Sequence, residues 1–187
     1  MNNDLPKRKS TRIKDYDYST EGVYFVTICI RDRMQVLSEI VKTEQDILNN
    51  AHGIRVGEGL APPEHRTILK PCGIIVKEQL LLLESRYDNV TIEDYVIMPD
   101  HIHLIICICM DGQSRTPVPT TKANSEYSKF ISTFKRFCNK EYGYNVWQSR
   151  SYDHIIRDKH DYDEISKYIY ENPLKWQFDE LYCEEQG

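Results

Sequence analysis

"VIMPDHIHLII", residues 96–106, sets two histidines one residue apart between apolar runs. With its neighbours it reads as two strands, "VTIEDYVIM" (90–98) and "HIHLIICIC" (101–109), with only Pro99 and Asp100 between them. That spacing demands an antiparallel hairpin, and the histidines emerge just past its turn. Alternation along the second strand puts His101, His103, Ile105, Cys107 and Cys109 on one face. Ile102, Leu104, Ile106 and Ile108 take the other face. Beyond the histidines both faces are apolar, so the strand belongs in the middle of a sheet. Two imidazoles at its end, pointing the same way, have the disposition to grip one ion.

Outward from the hairpin, "GVYFVTICI" (22–30) is β-branched and aromatic and reads as a buried strand. "RDRMQVLSEIV" follows as a turn and an ill-defined segment, and "HGIRVGEGLAPPEH" (52–65) has the Gly and Pro content of a loop. A helix is expected over about 73–86, starting after Pro71, with Ile74, Ile75, Gln79, Leu82 and Leu83 near one face. Residues 110–124 read as loop. A helix over 125–143 carries the stripe Tyr127, Phe130, Ile131, Phe134, Phe137 and Cys138. "VWQSRSYDHIIRD" (146–158) is a last strand with an irregular approach. The final helix starts at Asp161, with Glu164 three residues on as in a capping box, and stops at Asn172-Pro173. The order strand, helix, strand, strand, helix, strand, helix predicts an α+β fold, a ferredoxin-like antiparallel sandwich with one additional C-terminal helix.

A chain of 187 residues supports one sizeable core. The expected organisation is a basic arm (1–19), one domain (20–176) with a variable insertion around 42–72, and an acidic tail (177–187). No apolar run reaches the roughly 18 residues of a membrane span, and a signal-peptide core is missing after Met1, so a cytoplasmic protein is expected. The 6 cysteines lack C-x-x-C spacing and sit mostly in apolar segments, the pattern of reduced, buried thiols. The formal charge of -5 argues against a polyanionic partner until its distribution is read. Lys7, Arg8, Lys9, Arg12 and Lys14 face only Asp4 in the first stretch. Residues 115–159 hold an excess of Lys and Arg, and 160–187 a larger excess of acids. Lys129, Lys135, Arg136, Arg150 and Arg157 are candidates for phosphate contacts, with a plain solvated face as the alternative.

The last helix adds the reactive groups. Tyr168 and Asn172, four residues apart, lie one turn above the other on a single face, whereas Tyr170 is rotated away. Tyr162, Ile165 and Ile169 form the packing stripe, which leaves Tyr168 at its margin, in reach of a cleft. An amide oxygen and two imidazoles supply three neutral ligands for Mg²⁺ or Mn²⁺, the rest of the shell being left to water and a substrate oxygen.

Three blocks, "MPDHIHLII" (98–106), "VWQSRSYDHIIRD" (146–158) and "YIYENPLKW" (168–176), together resemble the REP-associated tyrosine transposases, relatives of the single-tyrosine HUH transposases. The resemblance runs from about residue 20 to 176 and leaves 42–72 unmatched. It implies cleavage and rejoining of single-stranded or hairpin DNA through a covalent 5′-phosphotyrosine. Carried onto matching positions, His101 and His103 hold the divalent metal, Tyr168 is the nucleophile, and Asn172 completes the metal site. His154 lies in the second block, as a group behind the metal ligands or as a core histidine. The family also implies a nucleoid-associated protein, acting as a monomer or a homodimer. The alternative is a ferredoxin-like binder of single-stranded nucleic acid without chemistry, which would need exposed aromatics on its strands.

Overall fold

The computed structural model describes residues 21–41, 54–55, 66–109 and 126–176. Lys7, Arg8, Lys9 and Arg12, the loop 110–125 and the acidic tail lie outside the described residues.

Seven strands and three α-helices are described. β1 (Gly22–Cys29) leads through a 3-10 turn (Arg31–Arg33) to β2 (Ser38–Val41), β3 (Ile54–Arg55) and β4 (Arg66–Leu69). Then follow α1 (Pro71–Glu84), β5 (Val90–Ile97), β6 (His101–Ile108), α2 (Glu126–Tyr142), β7 (Tyr152–Ile156) and α3 (Lys159–Lys175). The main sheet has the order β5-β6-β1-β7, and every pairing in it is antiparallel. Without the β2–β4 excursion the chain runs β-α-β-β-α-β and then α3, which is the ferredoxin-like sandwich with its extra helix.

β6 stands between β5 and β1, and its two faces part as alternation requires. Ile102, Leu104, Ile106 and Ile108 join Tyr24, Val26 and Ile28 of β1 under α1 and α2, against Leu80, Leu83, Phe130 and Phe134. Each such side chain, fully buried, contributes roughly 1.5–3 kcal/mol. Ile105 faces the opposite way, into a smaller cluster with Phe25, Ile156 and Ile169 of α3. The sheet is therefore covered on both sides, thickly by two helices and thinly by one.

Helix α2 follows its expected stripe: Tyr127, Phe130, Ile131, Phe134 and Cys138 are buried, and Phe137 is packed at the margin. Helix α1 does not. It begins at Pro71, whose missing N–H costs nothing in a first turn. Its buried face is Gly73, Val76, Leu80 and Leu83, while Leu81 and Leu82 are exposed. A run of four leucines has no periodicity to orient it, so the tertiary contacts chose the face. Ser38–Val41 of the ill-defined segment and Ile54–Arg55 of the expected loop pair with Arg66–Leu69 in a three-stranded sheet of order β2-β4-β3, and the rest of the expected loop lies outside the described residues.

Helix α3 starts earlier than expected, at Lys159. Its N-cap is Asp158, whose Oδ1 accepts the Asp161 N–H at 2.9 Å. It also passes through Pro173 to Lys175. The proline lies in the last turn, where few carbonyls remain to lose a donor, and both it and Asn172 are buried. Packing outweighs the local preference against a residue before proline.

Gly73 marks the closest approach between α1 and the rest. A Cβ built there would meet the Leu37 carbonyl oxygen at 2.0 Å, and that oxygen already accepts the Lys70 N–H. Gly73→Ala is expected to lower the unfolding free energy by about 1–3 kcal/mol, as overpacking does. A urea melt checks this; an unshifted midpoint would show that α1 can slide.

Candidate functional site

Register places the histidines. Cys29 of β1 stands opposite His101, and Thr27 opposite His103. Both imidazoles are almost wholly buried. His101 Nε2 and His103 Nε2 face each other at 3.0 Å. Their other nitrogens are committed: His101 Nδ1 donates to Asp100 Oδ1 at 2.6 Å, and His103 Nδ1 shares a 2.8 Å hydrogen bond with Thr27 Oγ1. Phe25 stacks on the His103 ring, with centroids 5.2 Å apart. Asp100, at 1% exposure, also forms an ion pair at 3.4 Å with Arg33 Nη1. Burial holds His103 well below the usual imidazole range, with the His101 and Arg33 charges adding to the effect.

Helix α3 lies across this pair. The Tyr168 hydroxyl is 3.4 Å from His103 Nε2, a long polar contact, and its ring is edge-on to Phe25 at 6.0 Å. Trp176 lies 5.9 Å from the His101 ring, centroid to centroid. Asn172 stands one helical turn from each of these two residues, so the residues that flank it touch the two imidazoles. It is buried, and its Oδ1 has no hydrogen-bond partner among the described residues. The stripe read from sequence is the one that packs: Ile169 is buried, with Tyr162 and Ile165 against it, while Tyr168 stays 41% exposed and Tyr170 turns outward.

The donor set has a definite chemistry. An acceptor on His101 Nδ1 leaves the Nε2 lone pair bare, and two facing ring nitrogens need a proton or a cation between them. Two nitrogens each about 2.1 Å from one ion, at a right angle, stand roughly 3.0 Å apart. The observed separation fits, the orphaned amide oxygen of Asn172 offers a third donor, and a carboxylate behind a ligating histidine is a common support of metal centres. Among the described residues no group of three His, Cys, Asp or Glu side chains is placed to hold a metal, so a third protein donor here would have to be of another kind, such as the Asn172 amide.

Other expected residues fall elsewhere. His154 is half-exposed on β7 and donates to both carboxylate oxygens of Asp161, at 2.9 and 3.1 Å; it ties β7 to the first turn of α3 and is not a core histidine. Lys129 pairs with Glu126 at 2.6 Å. Lys135 is no open phosphate contact: burial pushes its amine down to about 8, and it donates to the Gln148 carbonyl. Arg136 is exposed, its guanidinium 5.5 Å from the Phe137 ring, and Arg150 and Arg157 are exposed. None of the five described cysteines is in a disulfide, and Cys107 and Cys109 share a face with their sulfurs 3.5 Å apart. Thr27 and Arg33 drew no attention in the sequence, and Asp100 stood there only as a residue of the hairpin turn. The Asp in "PDHIH" was the available signal, because a carboxylate beside a His-x-His invites a hydrogen bond.

No family model matches the chain. A Haemophilus influenzae protein, itself uncharacterized, is 28% identical over 95% of this chain and 94% of its own length. A second Haemophilus influenzae protein, named for the REP-associated tyrosine transposases, is 32% identical over 42% of this chain and 47% of its own. The REP-associated tyrosine transposase of Escherichia coli is 30% identical over 45% of this chain and 44% of its own. The chain thus matches under half the length of the two relatives that carry the name. Among solved structures, a REP-associated tyrosine transposase bound to a REP hairpin superposes with a TM-score of 0.55 over 90% of this chain and 76% of that one, at 18% identity. The chain resembles the REP-associated tyrosine transposases, in sequence over part of its length and in fold over most of it. No helix among the described residues is long and apolar enough to cross a membrane.

The entry turn of α3 carries its own pH dependence. The His154 hydrogen bond, joined by the Arg157 N–H, holds the Asp161 carboxyl below its usual range. A depressed carboxylate gives stability that is complete above its unfolded value, near 3.9, and is lost as pH falls through the folded one. Asp161→Asn is therefore expected to flatten the acid side of the stability profile below about pH 4. Thermal melts between pH 5 and pH 2 check it, and an unchanged slope refutes it.

Proposed function

We propose that this chain is a metal-dependent single-stranded DNA endonuclease and strand transferase, cleaving through a covalent 5′-phosphotyrosine on Tyr168. The observation that carries the reading is the approach of the Tyr168 hydroxyl to His103 Nε2, across 65 residues of sequence, at a place where two imidazoles face each other. A hairpin-bearing single strand is the proposed substrate, because the solved relative is bound to a REP hairpin.

His101, His103 and Asn172 would hold Mg²⁺ or Mn²⁺, and two nitrogen donors suit manganese better than magnesium. When bound, such an ion supplies positive charge that offsets the charge growing on the phosphate oxygens. The chain's own residues do the rest. Asp100 and Thr27 fix the two rings, Phe25 covers a face of His103 and Trp176 lies against His101, and α3 presents the phenol. The Tyr168 oxygen forms its bond to phosphorus as the bond from phosphorus to the 3′ oxygen breaks. One proton leaves the phenol and one reaches the 3′ oxygen, giving a 3′-hydroxyl that can reverse the step. The phosphodiester's energy is kept in the new ester, so rejoining needs no nucleotide cofactor. A purely binding role is disfavoured by Tyr24 and Phe25, which are buried and offer no platform for bases.

Incubated with Mn²⁺ or Mg²⁺ and a labelled hairpin-bearing strand, the protein is expected to yield a protease-sensitive covalent adduct and a free 3′-hydroxyl. Tyr168→Phe should give no adduct; an adduct retained in that variant overturns the assignment. His101→Ala should slow cleavage by about a hundredfold or more while DNA binding persists, since the charge an ion supplies is worth several kcal/mol. Undiminished cleavage removes the metal role.

A further inference from the structure

The turn that leaves β1 is unfavourable in its own backbone. Asp32 and Arg33 have φ of 56° and 57°, the left-handed region that an L-residue with a Cβ enters against a steric penalty. Strapping to the hairpin holds it there: Ile30 N–H donates to the Asp100 carbonyl at 2.8 Å, and Leu37 N–H to the Pro99 carbonyl at 2.9 Å. The product of this arrangement is a guanidinium, 19% exposed, stationed beside the histidine pair. Strain that surrounding structure over-determines is found at functional sites more than elsewhere.

The guanidinium is underused. Arg33 Nη1 lies 3.4 Å from Asp100 Oδ2 and has no hydrogen-bond partner among the described residues, although it is buried. An arginine that steadies a carboxylate frequently does so with two short parallel N–H···O bonds. Here Asp100 gives its short bond to His101, and the arginine keeps donors in hand. Asp100 joins the guanidinium to His101, so only one carboxylate separates it from the imidazole pair that Tyr168 meets. A planar fork with spare donors at that place is shaped for the oxygens of a phosphate.

We propose that Arg33 is a catalytic residue: its guanidinium donates to a non-bridging oxygen of the phosphodiester that Tyr168 attacks and stabilises the charge that gathers there. This rests on the reading of Tyr168 as nucleophile. Asp100 then has two tasks, fixing His101 and neutralising Arg33 while no substrate is present.

The test compares the full chain with Arg33→Ala, Arg33→Gln and Arg33→Lys in Mn²⁺, after melts confirm that each variant folds. The substrate is the hairpin-bearing strand with its nicked phosphate mapped, together with the two methylphosphonate diastereomers at that position, in which one non-bridging oxygen is a methyl group. Loss of one such donor is expected to lower kcat by about a hundred- to a thousandfold, with KM changed far less and Arg33→Lys intermediate. The Mn²⁺ dissociation constant, read by titration calorimetry without DNA, should move less than threefold. On one diastereomer the gap between wild type and Arg33→Ala should narrow to under tenfold, because the particular oxygen that accepts from Arg33 has been replaced by a methyl group. An unchanged kcat overturns the proposal. So does a loss that follows weakened Mn²⁺ binding, which would make Arg33 a support of Asp100 alone, and so does an equal gap on both diastereomers. A wild-type protein that forms no adduct fails at the earlier reading, and the role of Arg33 falls with it.

Discussion

Two ring nitrogens 3.0 Å apart in a dry interior must share something, and most of the surrounding structure can be read as the consequence. A buried polar atom without a partner costs about 1–3 kcal/mol, so the pair is tolerable only with a proton or a cation between them. The choice is prepared from behind. Asp100 takes the far side of His101 and Thr27 the far side of His103, so neither ring can rotate to find water. Neutrality is favoured as well: burial disfavours the charged form of His103, and a neutral imidazole is the form that donates a lone pair.

Rigidity explains why this pair sits where it does. β6 is flanked on both sides by antiparallel partners, and its inner face carries four aliphatic residues into the main core. A site on such a strand is held more closely than one on a loop. The third element comes from the other end of the chain, and its approach is fixed by different means. Ile169 packs it on the thin side of the sheet, Asp158 caps it, and the His154–Asp161 pair sets its first turn against β7. The same helix thus buries Asn172 and leaves Tyr168 at its edge.

What was legible in the sequence was periodic. The hairpin, the alternation along β6, the stripe of α2 and the shared face of Tyr168 and Asn172 all repeat at the spacing of their element, and the structure has each of them. The face of α1 was not legible, because Leu80, Leu81, Leu82 and Leu83 are apolar in every direction. Nor was the small sheet: β3 has two residues, too few to show a pattern, and β2 and β4 pair across a long interval. The supports of the histidines were hidden for a related reason. Thr27 meets His103 from 76 positions away, and Arg33 reaches Asp100 only because its backbone takes a conformation no propensity predicts. Polar residues that act singly leave no period to detect.

If Tyr168 is the nucleophile, as proposed, the position of the phenol also constrains how a substrate must enter. At 3.4 Å the Tyr168 hydroxyl and His103 Nε2 are in contact, and no phosphate fits between them. In-line attack, however, needs the phosphorus between the attacking oxygen and the leaving one. The phenol must therefore withdraw as the strand arrives. The imidazoles cannot yield, since they are buried and bonded at both nitrogens. The backbone of α3 is resisted by Ile169 and by the buried Asn172-Pro173 turn. The tyrosine side chain is the component left to move, and its exposed place at the helix margin gives it solvent to turn into. The burial of Asn172 and the exposure of Tyr168 are thus two results of one helical face, divided between residues four apart.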